Sequence, residues 1–443
     1  MGRESIYWVI VLLTFVYIFI KHKGNVVKLL IILCFYSGLA AFPGKTIENP
    51  FKIFVVILSI YLILKDNGLS GLRKKERIFL MLFILYSLSF FYSAISNGDY
   101  FNLTLSQYAK YFTPVCVFFV LNHLMIKWPG FLVNLRELFF QLLTIQIVLS
   151  VVKVLTLGLQ ESTVGSISYI GGGQATMVPV LGFILVWLTK KGEFTRKDWR
   201  YIILLIFIAF ASVKRAIWFI MPAMIVLFMF YIPRKIKTRH LIYVLPIVPL
   251  LFYAGVRLNP TLNREGKIGG SFDLQYVLDY SQEYSFGQST EASKVQEGTG
   301  RGGATIMLVT KLFKNHPLSR DDYWGTSLQE VYTTDYDQFN DEKYGLNSKG
   351  SVTGIFQSYI SSGYVGVFLT ILLILSVVSL VKEPRIRISL GILIFWDYLF
   401  YSALILRTQA LFILFFYIIL YSNSQFEKSE YDKYVAQNLD GRG

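Results

Sequence analysis

The chain reads as an all-α polytopic membrane protein, with about 12–14 transmembrane helices and one large external loop. Three observations predict that class. Of 443 residues, 54% are hydrophobic and only 16% charged, which leaves too few charges to clothe a soluble surface of this size. Long apolar runs recur along the chain, separated by short basic clusters. A single polar stretch, residues 258–350, interrupts that pattern.

Apolar runs at 5–20, 27–43, 51–65, 78–96, 107–126, 131–157, 175–189, 201–213, 216–232 and 241–257 predict an N-terminal transmembrane bundle, residues 1–257, of about ten spans. The first run has no basic leader and is followed by Lys21-His22-Lys23, not by a small-residue cleavage site, so it is expected to stay as the first span. Residues 201–232 are too long for one crossing and carry Lys214-Arg215 in their middle, which predicts a helical hairpin with the basic pair at its tip. Within the polar stretch 258–350, a short helix is expected near 304–314, preceded by a glycine-rich turn and stopped by Pro317. Runs at 352–381, 388–402 and 404–422 predict the C-terminal transmembrane helices of 351–423, followed by a tail, 424–443.

Sidedness follows from Lys and Arg, which favour cytoplasmic loops. The clusters at Lys21/Lys23, 65–77, Lys127, 190–200, 234–239 and 382–387 fall on alternate loops, provided that 201–232 crosses twice. That topology puts the N-terminus and 258–350 outside and the tail 424–443 in the cytoplasm, with roughly twenty basic residues on inner loops against about seven on outer ones. Lys214, Arg215 and Arg407 are among the outer exceptions. The net charge of +15 is thus spent on orientation and does not argue for nucleic acid. Cys34 and Cys116 sit inside apolar runs, so they are expected as packing residues, with no disulfide framework or thiolate metal site. There is no P-loop, no Cys-x-x-Cys pair and no His-Glu-x-x-His; Asp335-Tyr336-Asp337 has the Asp-x-Asp form but lies outside, away from nucleotide sugars. No metal and no cofactor are expected.

A Ser-x-x-Arg turn, Ser212-Val213-Lys214-Arg215, is followed by Gly300-Arg301 leading through a short helix to His316-Pro317-Leu318, and then by a block from Ser351 with Gly363 and Gly366 in a Gly-x-x-Gly pattern. In this order, and with a large loop before the last few spans, these motifs resemble the O-antigen polymerase and O-antigen ligase superfamily over roughly residues 200–370. The resemblance implies a fold like that of the C-type glycosyltransferases. It implies a metal-independent enzyme of the bacterial cytoplasmic (inner) membrane, multi-pass, with its large loop on the periplasmic side. The implied donor is an oligosaccharide linked to undecaprenyl pyrophosphate, and the partners are that lipid and the bilayer, with a chain-length regulator protein as a further one. Arg215 and Arg301 match the family's two arginine positions and would be catalytic. Departure of the diphosphate builds negative charge, which a planar guanidinium fork is suited to receive.

The same residues have plainer readings. An arginine at a helix end is often an anchor among lipid headgroups, which is the first reading of Lys214 and a real alternative for Arg215 and Arg407; Arg301 could pair with Glu297. Lys214, Arg407, Tyr323 and Trp324 are the candidate substrate-binding residues, the two aromatics because they stand in the polar loop instead of a span. The polar run 160–174, with glycines at 171–173, is a candidate second wall of the cleft. His316 is read as structural. No histidine occurs from 317 to 443, where the family's ligases carry one, and this favours a surface-polysaccharide polymerase over a ligase. The general base stays open among Glu297, Asp321, Asp322, Asp335 and Asp337. A lipid-linked glycan transporter is the alternative of another class, although no internal repeat is visible.

Overall fold

A computed structural model describes residues 3–41, 48–66, 71–128, 130–159, 164–167, 174–190, 194–212, 217, 220–221, 223–224, 227, 249–250, 252–286, 305, 308–309, 312–313, 318–326, 353–400 and 409–440. Among them the architecture is all-helical. In chain order the helices are α1 (Arg3–His22), α2 (Val26–Phe35), α3 (Glu48–Asp66), α4 (Lys74–Ser96), α5 (Phe101–Lys127), α6 (Phe131–Leu157), α7 (Gln174–Lys190), α8 (Arg196–Ala211), α9 (Leu274–Phe286), α10 (Arg320–Trp324), α11 (Gly354–Ser379), α12 (Pro384–Phe400) and α13 (Gln409–Asp440). Five of these, α1, α4, α5, α6 and α11, are long and apolar enough to cross a membrane, and further apolar helices run at Val26–Phe35, Thr176–Lys190 and Gln409–Gln425. The chain is a multi-pass α-helical membrane protein. Of the spans expected in the sequence, that at 27–43 ends early, at Phe35, and continues as a short 3-10 turn, Ser37–Ala41. The last helix does not stop at 423 but continues to Asp440.

Burial runs opposite to that of a soluble bundle. On α3, Ile53, Ile57, Ile60 and Leu64 form an exposed apolar stripe, and Met81, Ile84, Leu88 and Ile95 do so on α4. Such stripes would drive aggregation in water and suit a hydrocarbon surround. By contrast α7 from 176 to 188 and α13 from 409 to 423 are buried on every side, which makes them central. α7 packs on α8, α13 on α5 and α7, α1 on α6, and α4 on α11.

The bundle has two distinct ends. At one, the Lys75 ammonium donates to the Ser379 carbonyl (2.7 Å), and Asn423 bonds both Leu380 and Lys382 of the α11–α12 turn (2.8 Å each). At the other, Asn97 after α4 donates to the Gly325 carbonyl (3.1 Å). Two basic clusters, 65–77 and 382–387, are therefore brought to the same end.

The early stop of α2 is closed by a segment from far along the chain. Helix α2 leaves the Phe35 carbonyl without an in-helix donor, and Ser166 Oγ (3.1 Å) and Gln146 Nε2 (3.4 Å) supply it. Residues 164–167 reach this place because Gln146 Oε1 accepts the Ser166 N–H (2.7 Å), while Gly38 donates to Ser166 (2.8 Å) and Tyr7 to Gly165 (2.8 Å). Gly165 has φ 62, and a Cβ there would strike the Gln146 side chain. The buried Lys153 lies over the Tyr7 ring, 5.5 Å from its centre.

The polar stretch begins with a turn built around Asn263, which is fully buried and whose amide donates to the carbonyls of Asn259 (3.0 Å) and Lys267 (2.8 Å). Arg257 closes it by donating to Gly270 (2.9 Å), and Lys267 beside Glu265 (2.6 Å) holds that carboxyl below the usual range. Helix α8 starts with a comparable device: Asp198 accepts from Thr195 N (2.8 Å) and Oγ1 (2.6 Å) and pairs with Lys190 (3.2 Å). Burial pushes the Asp198 carboxyl up, but the bonds from Thr195 and Lys190 outweigh it and hold it low.

Gly165→Ala should lower the unfolding temperature in detergent, by about 1–2 kcal/mol for the left-handed backbone alone and more for the collision with Gln146. An unchanged melting curve would show that 164–167 does not dock. A depressed carboxyl contributes stability above its unfolded value and loses it as pH falls through the folded one. Hydrogen exchange in the first turn of α8 should therefore stay slow from about pH 6 down to about pH 4 and quicken below it, and Asp198→Asn should be less protected throughout and insensitive to acid. Identical profiles for the two proteins would remove Asp198 from the cap.

Candidate functional site

Helix α11 is not continuous. Ser362 (φ −155, ψ 16) and Gly363 (φ 61, ψ −159) leave helical geometry and split it into 354–361 and a longer second half. Such a break in an apolar setting frees carbonyls that need partners. Ser358 Oγ donates to the Gly354 carbonyl (2.9 Å) and Ser361 Oγ to that of Ser358 (3.1 Å), while the Ile360 carbonyl accepts from the backbone N–H of Thr326 (3.1 Å). The Gly-x-x-Gly pattern has a concrete role here. A Cβ on Gly363 would strike the backbone of Tyr323 and Trp324, and one on Gly366 would strike Ser362.

The segment that fills the notch is 318–326. Ser319 caps α10, with Asp322 Oδ2 accepting from the Ser319 N–H and Oγ (2.9 Å each), and Tyr359 Oη donates to the other oxygen, Oδ1 (2.5 Å). Gly325, at φ 90, lies flat against 360–362, and Asn97 holds its carbonyl. Trp324 packs edge-on against Tyr92 of α4, with ring centres 4.8 Å apart. Three residues beyond the first half of the helix, Tyr364 donates to the Leu308 carbonyl (2.8 Å), so a second point of the polar stretch is tied to the same helix. The Ser362 hydroxyl is fully buried and makes no hydrogen bond to the described residues.

Of the residues singled out in the sequence, Tyr323 and Trp324 stand in this segment. Tyr323 turns its side chain outward, 46% exposed, and meets Gly363 through its backbone, while Trp324 is half-buried on Tyr92. Lys214, Arg215, Arg301 and Arg407 lie outside the described residues. Ser212, which opens the Ser-x-x-Arg turn, is fully buried at the end of α8 and donates to the Ala209 carbonyl (2.7 Å). Among the acids open as a base, Asp322 has three donors on its two oxygens, which commits it to bracing the segment. Glu297, Asp335 and Asp337 lie outside the described residues.

Two charged residues were passed over in the sequence. Asp397 is fully buried in α12, and Lys153 is buried in α6. The signal was present: each is an isolated charge inside an apolar run, where an ionisable side chain is costly and points by default to function. Among the described residues no group of three or more His, Cys, Asp or Glu side chains could hold a metal ion. Comparison with protein-family models, curated proteins and solved structures returns no match.

Chemically, the arrangement is a braced rim. It presents aromatic edges, hydroxyls and carbonyls where a helix breaks, and its shape is set by backbone contact.

Gly363→Ala should release the segment at a cost of about 2 kcal/mol or more, since the backbone is left-handed and the space is filled. Tyr359→Phe should cost about 1–3 kcal/mol by leaving a buried carboxylate oxygen short of a donor. Both should speed proteolysis at 318–326 and move Trp324 emission, whereas Gly24→Ala, with open space around it, should do neither. Equal cleavage in all three would refute the docking.

Proposed function

We propose that this chain is a glycosyltransferase that polymerises oligosaccharide repeat units carried on undecaprenyl pyrophosphate, on the periplasmic face of the bacterial inner membrane. The observation that carries the reading is the docking of a polar, aromatic segment onto a glycine-formed break in a membrane helix, in the block where the sequence resembles the polymerase and ligase superfamily. Interrupted helices with fixed polar groups at the break are a recurrent way to build a polar site at the edge of hydrocarbon. Leu308, seven residues after Arg301, is tied to Tyr364 of that helix, so the stretch following one of the two motif arginines is held at the break. The meeting of two basic clusters at the opposite end supports an orientation with the docked segment outside.

In the proposed reaction an acceptor sugar hydroxyl attacks the anomeric carbon of the donor. A carbon–oxygen bond forms as the bond to phosphate breaks; the electron pair leaves on the diphosphate, and the hydroxyl's proton passes to the general base, open among Glu297, Asp321, Asp335 and Asp337. Arg215 and Arg301 receive the leaving charge, with Lys214 and Arg407 adding positive potential. Tyr323 and Trp324 meet the glycan, a role that the exposure of the Tyr323 ring supports. A ligase differs only in the acceptor, and the absence of a histidine after position 316 speaks for the polymerase.

One observation favours a second reading. The interruption of α2 at Phe35, filled by 164–167, is a second broken helix, and paired interruptions are a habit of transporters.

Purified protein in vesicles, given a polyprenyl-diphosphate-linked oligosaccharide, should yield a ladder of longer lipid-linked glycans. Arg215→Ala and Arg301→Ala should each cut the rate at least ~100-fold, as expected for losing charge stabilisation in a transition state, with insertion unaffected. Transfer to a different acceptor lipid alone would make it a ligase. Lipid flipping without new glycosidic bonds would replace the enzyme by a transporter.

A further inference from the structure

Helices α3, α4 and α5 enclose a cavity of about 250 Å³ that opens sideways on the lipid-facing surface. On α4 its wall runs from Leu80 to Phe91, eleven residues or about 16 Å of height along the helix. A volume of this size over that height has the width of one hydrocarbon chain. The wall holds hydroxyls, but each is already used. Ser59 donates to the Val55 carbonyl (2.6 Å), Ser87 to that of Phe83 (2.7 Å), and Tyr108 to Ser87 Oγ (2.7 Å). No hydroxyl among these is left for a polar occupant, and the outer edge, at Ile84 and Leu88, is 51% and 63% exposed to the hydrocarbon side.

The groove is also shaped and placed. Phe83, Tyr108 and Phe112 lie nearly parallel, at 21–24° to one another, and line the groove with aromatic rings. The planar trigonal units of an isoprenoid chain pack against aromatic rings more readily than a staggered acyl chain. Continuing up α4 from Phe91, the next residue, Tyr92, carries Trp324, and Asn97, about 9 Å higher, holds Gly325. The groove thus leads toward the docked segment.

We propose that this groove seats the isoprenoid tail of the lipid-linked donor, with its diphosphate end toward 318–326; the identity of the head group rests on the function proposed above. An engineered cavity of about 150 Å³ takes benzene, so about 250 Å³ takes on the order of ten carbons, two isoprene units of the chain. The remaining units stay in the bilayer.

The test uses the full-length protein in nanodiscs and a photoreactive farnesyl diphosphate as probe. Label should concentrate on α3, α4 and α5, and be competed at least ~10-fold better by unlabelled farnesyl diphosphate than by phosphatidylglycerol. Ile84→Trp and Leu88→Trp, both at the exposed edge and so spared refolding of the core, should each lower labelling at least ~10-fold without moving the melting temperature. Label spread over other helices, equal competition by phosphatidylglycerol, or full labelling of both filled variants would overturn the groove. Labelled groove without glycan product would leave the groove standing and sink the polymerase; polymer formed at full rate by both filled variants would do the reverse.

Discussion

Hydrocarbon offers no hydrogen bonds, so every backbone group set among the spans has to find a partner inside the protein. Continuous helices meet that requirement by themselves. Among the described helices, α2 stops short and α11 breaks, and each is completed by a short segment from elsewhere: the Phe35 carbonyl by Ser166 and Gln146, and the Ile360 carbonyl by Thr326. At each repair stands a glycine in the left-handed region, Gly165 at one and Gly325 with Gly363 at the other, where any Cβ would collide with its neighbour. These glycines are places of close approach, not of loose chain. The constraint fixes long-range order, because a break cannot exist without the distant segment that closes it.

The described helices were largely legible as apolar runs of membrane length bounded by basic clusters, and the runs at 78–96, 107–126 and 131–157 fall within α4, α5 and α6. The breaks were not legible. Serine and glycine at 362–363 are compatible with a helix that simply ends in Gly-x-x-Gly, and what decides otherwise is Tyr323, some forty residues earlier, pressing on Gly363. The early end of α2 had the same cause, since its partners Gln146 and Ser166 are more than a hundred residues away. Tyr323 and Trp324 were visible as aromatics outside the spans, but not their division of labour, one facing out and the other packed on Tyr92. Asp322 read as one of five candidate bases because local sequence does not reveal that Tyr359 donates to it.

Helix α4 is the frame on which the site is hung. Its first turn is tied to the end of α11 through Lys75 and Ser379, and its far end to the docked segment through Tyr92 and Asn97. Between those ends α11 bends, and the bend splits its grip on the polar stretch: Tyr359, before the break, holds Asp322, and Tyr364, after it, holds Leu308. The two points held lie on either side of His316-Pro317-Leu318. One kink therefore sets both the position and the spacing of the polar stretch over the bundle.

Two of the buried charges, Lys153 and Asp397, lie near the two breaks. Lys153 lies over Tyr7, whose hydroxyl holds Gly165, beside the repair of α2. Asp397 is thirteen residues into α12, counted from Pro384, and Gly366 is thirteen residues back from Ser379 on α11, so across the intervening turn they stand at about the same height, ~20 Å from it. The unbonded Ser362 hydroxyl is one turn further up. An apolar interior selected only for stability would discard a charge, a break and an unbonded hydroxyl, each of which costs about 1 kcal/mol or more. Their gathering within about one turn of height on α11 and the neighbouring α12, under a segment braced by a carboxylate, is the pattern of a site whose local costs are met by the rest of the bundle.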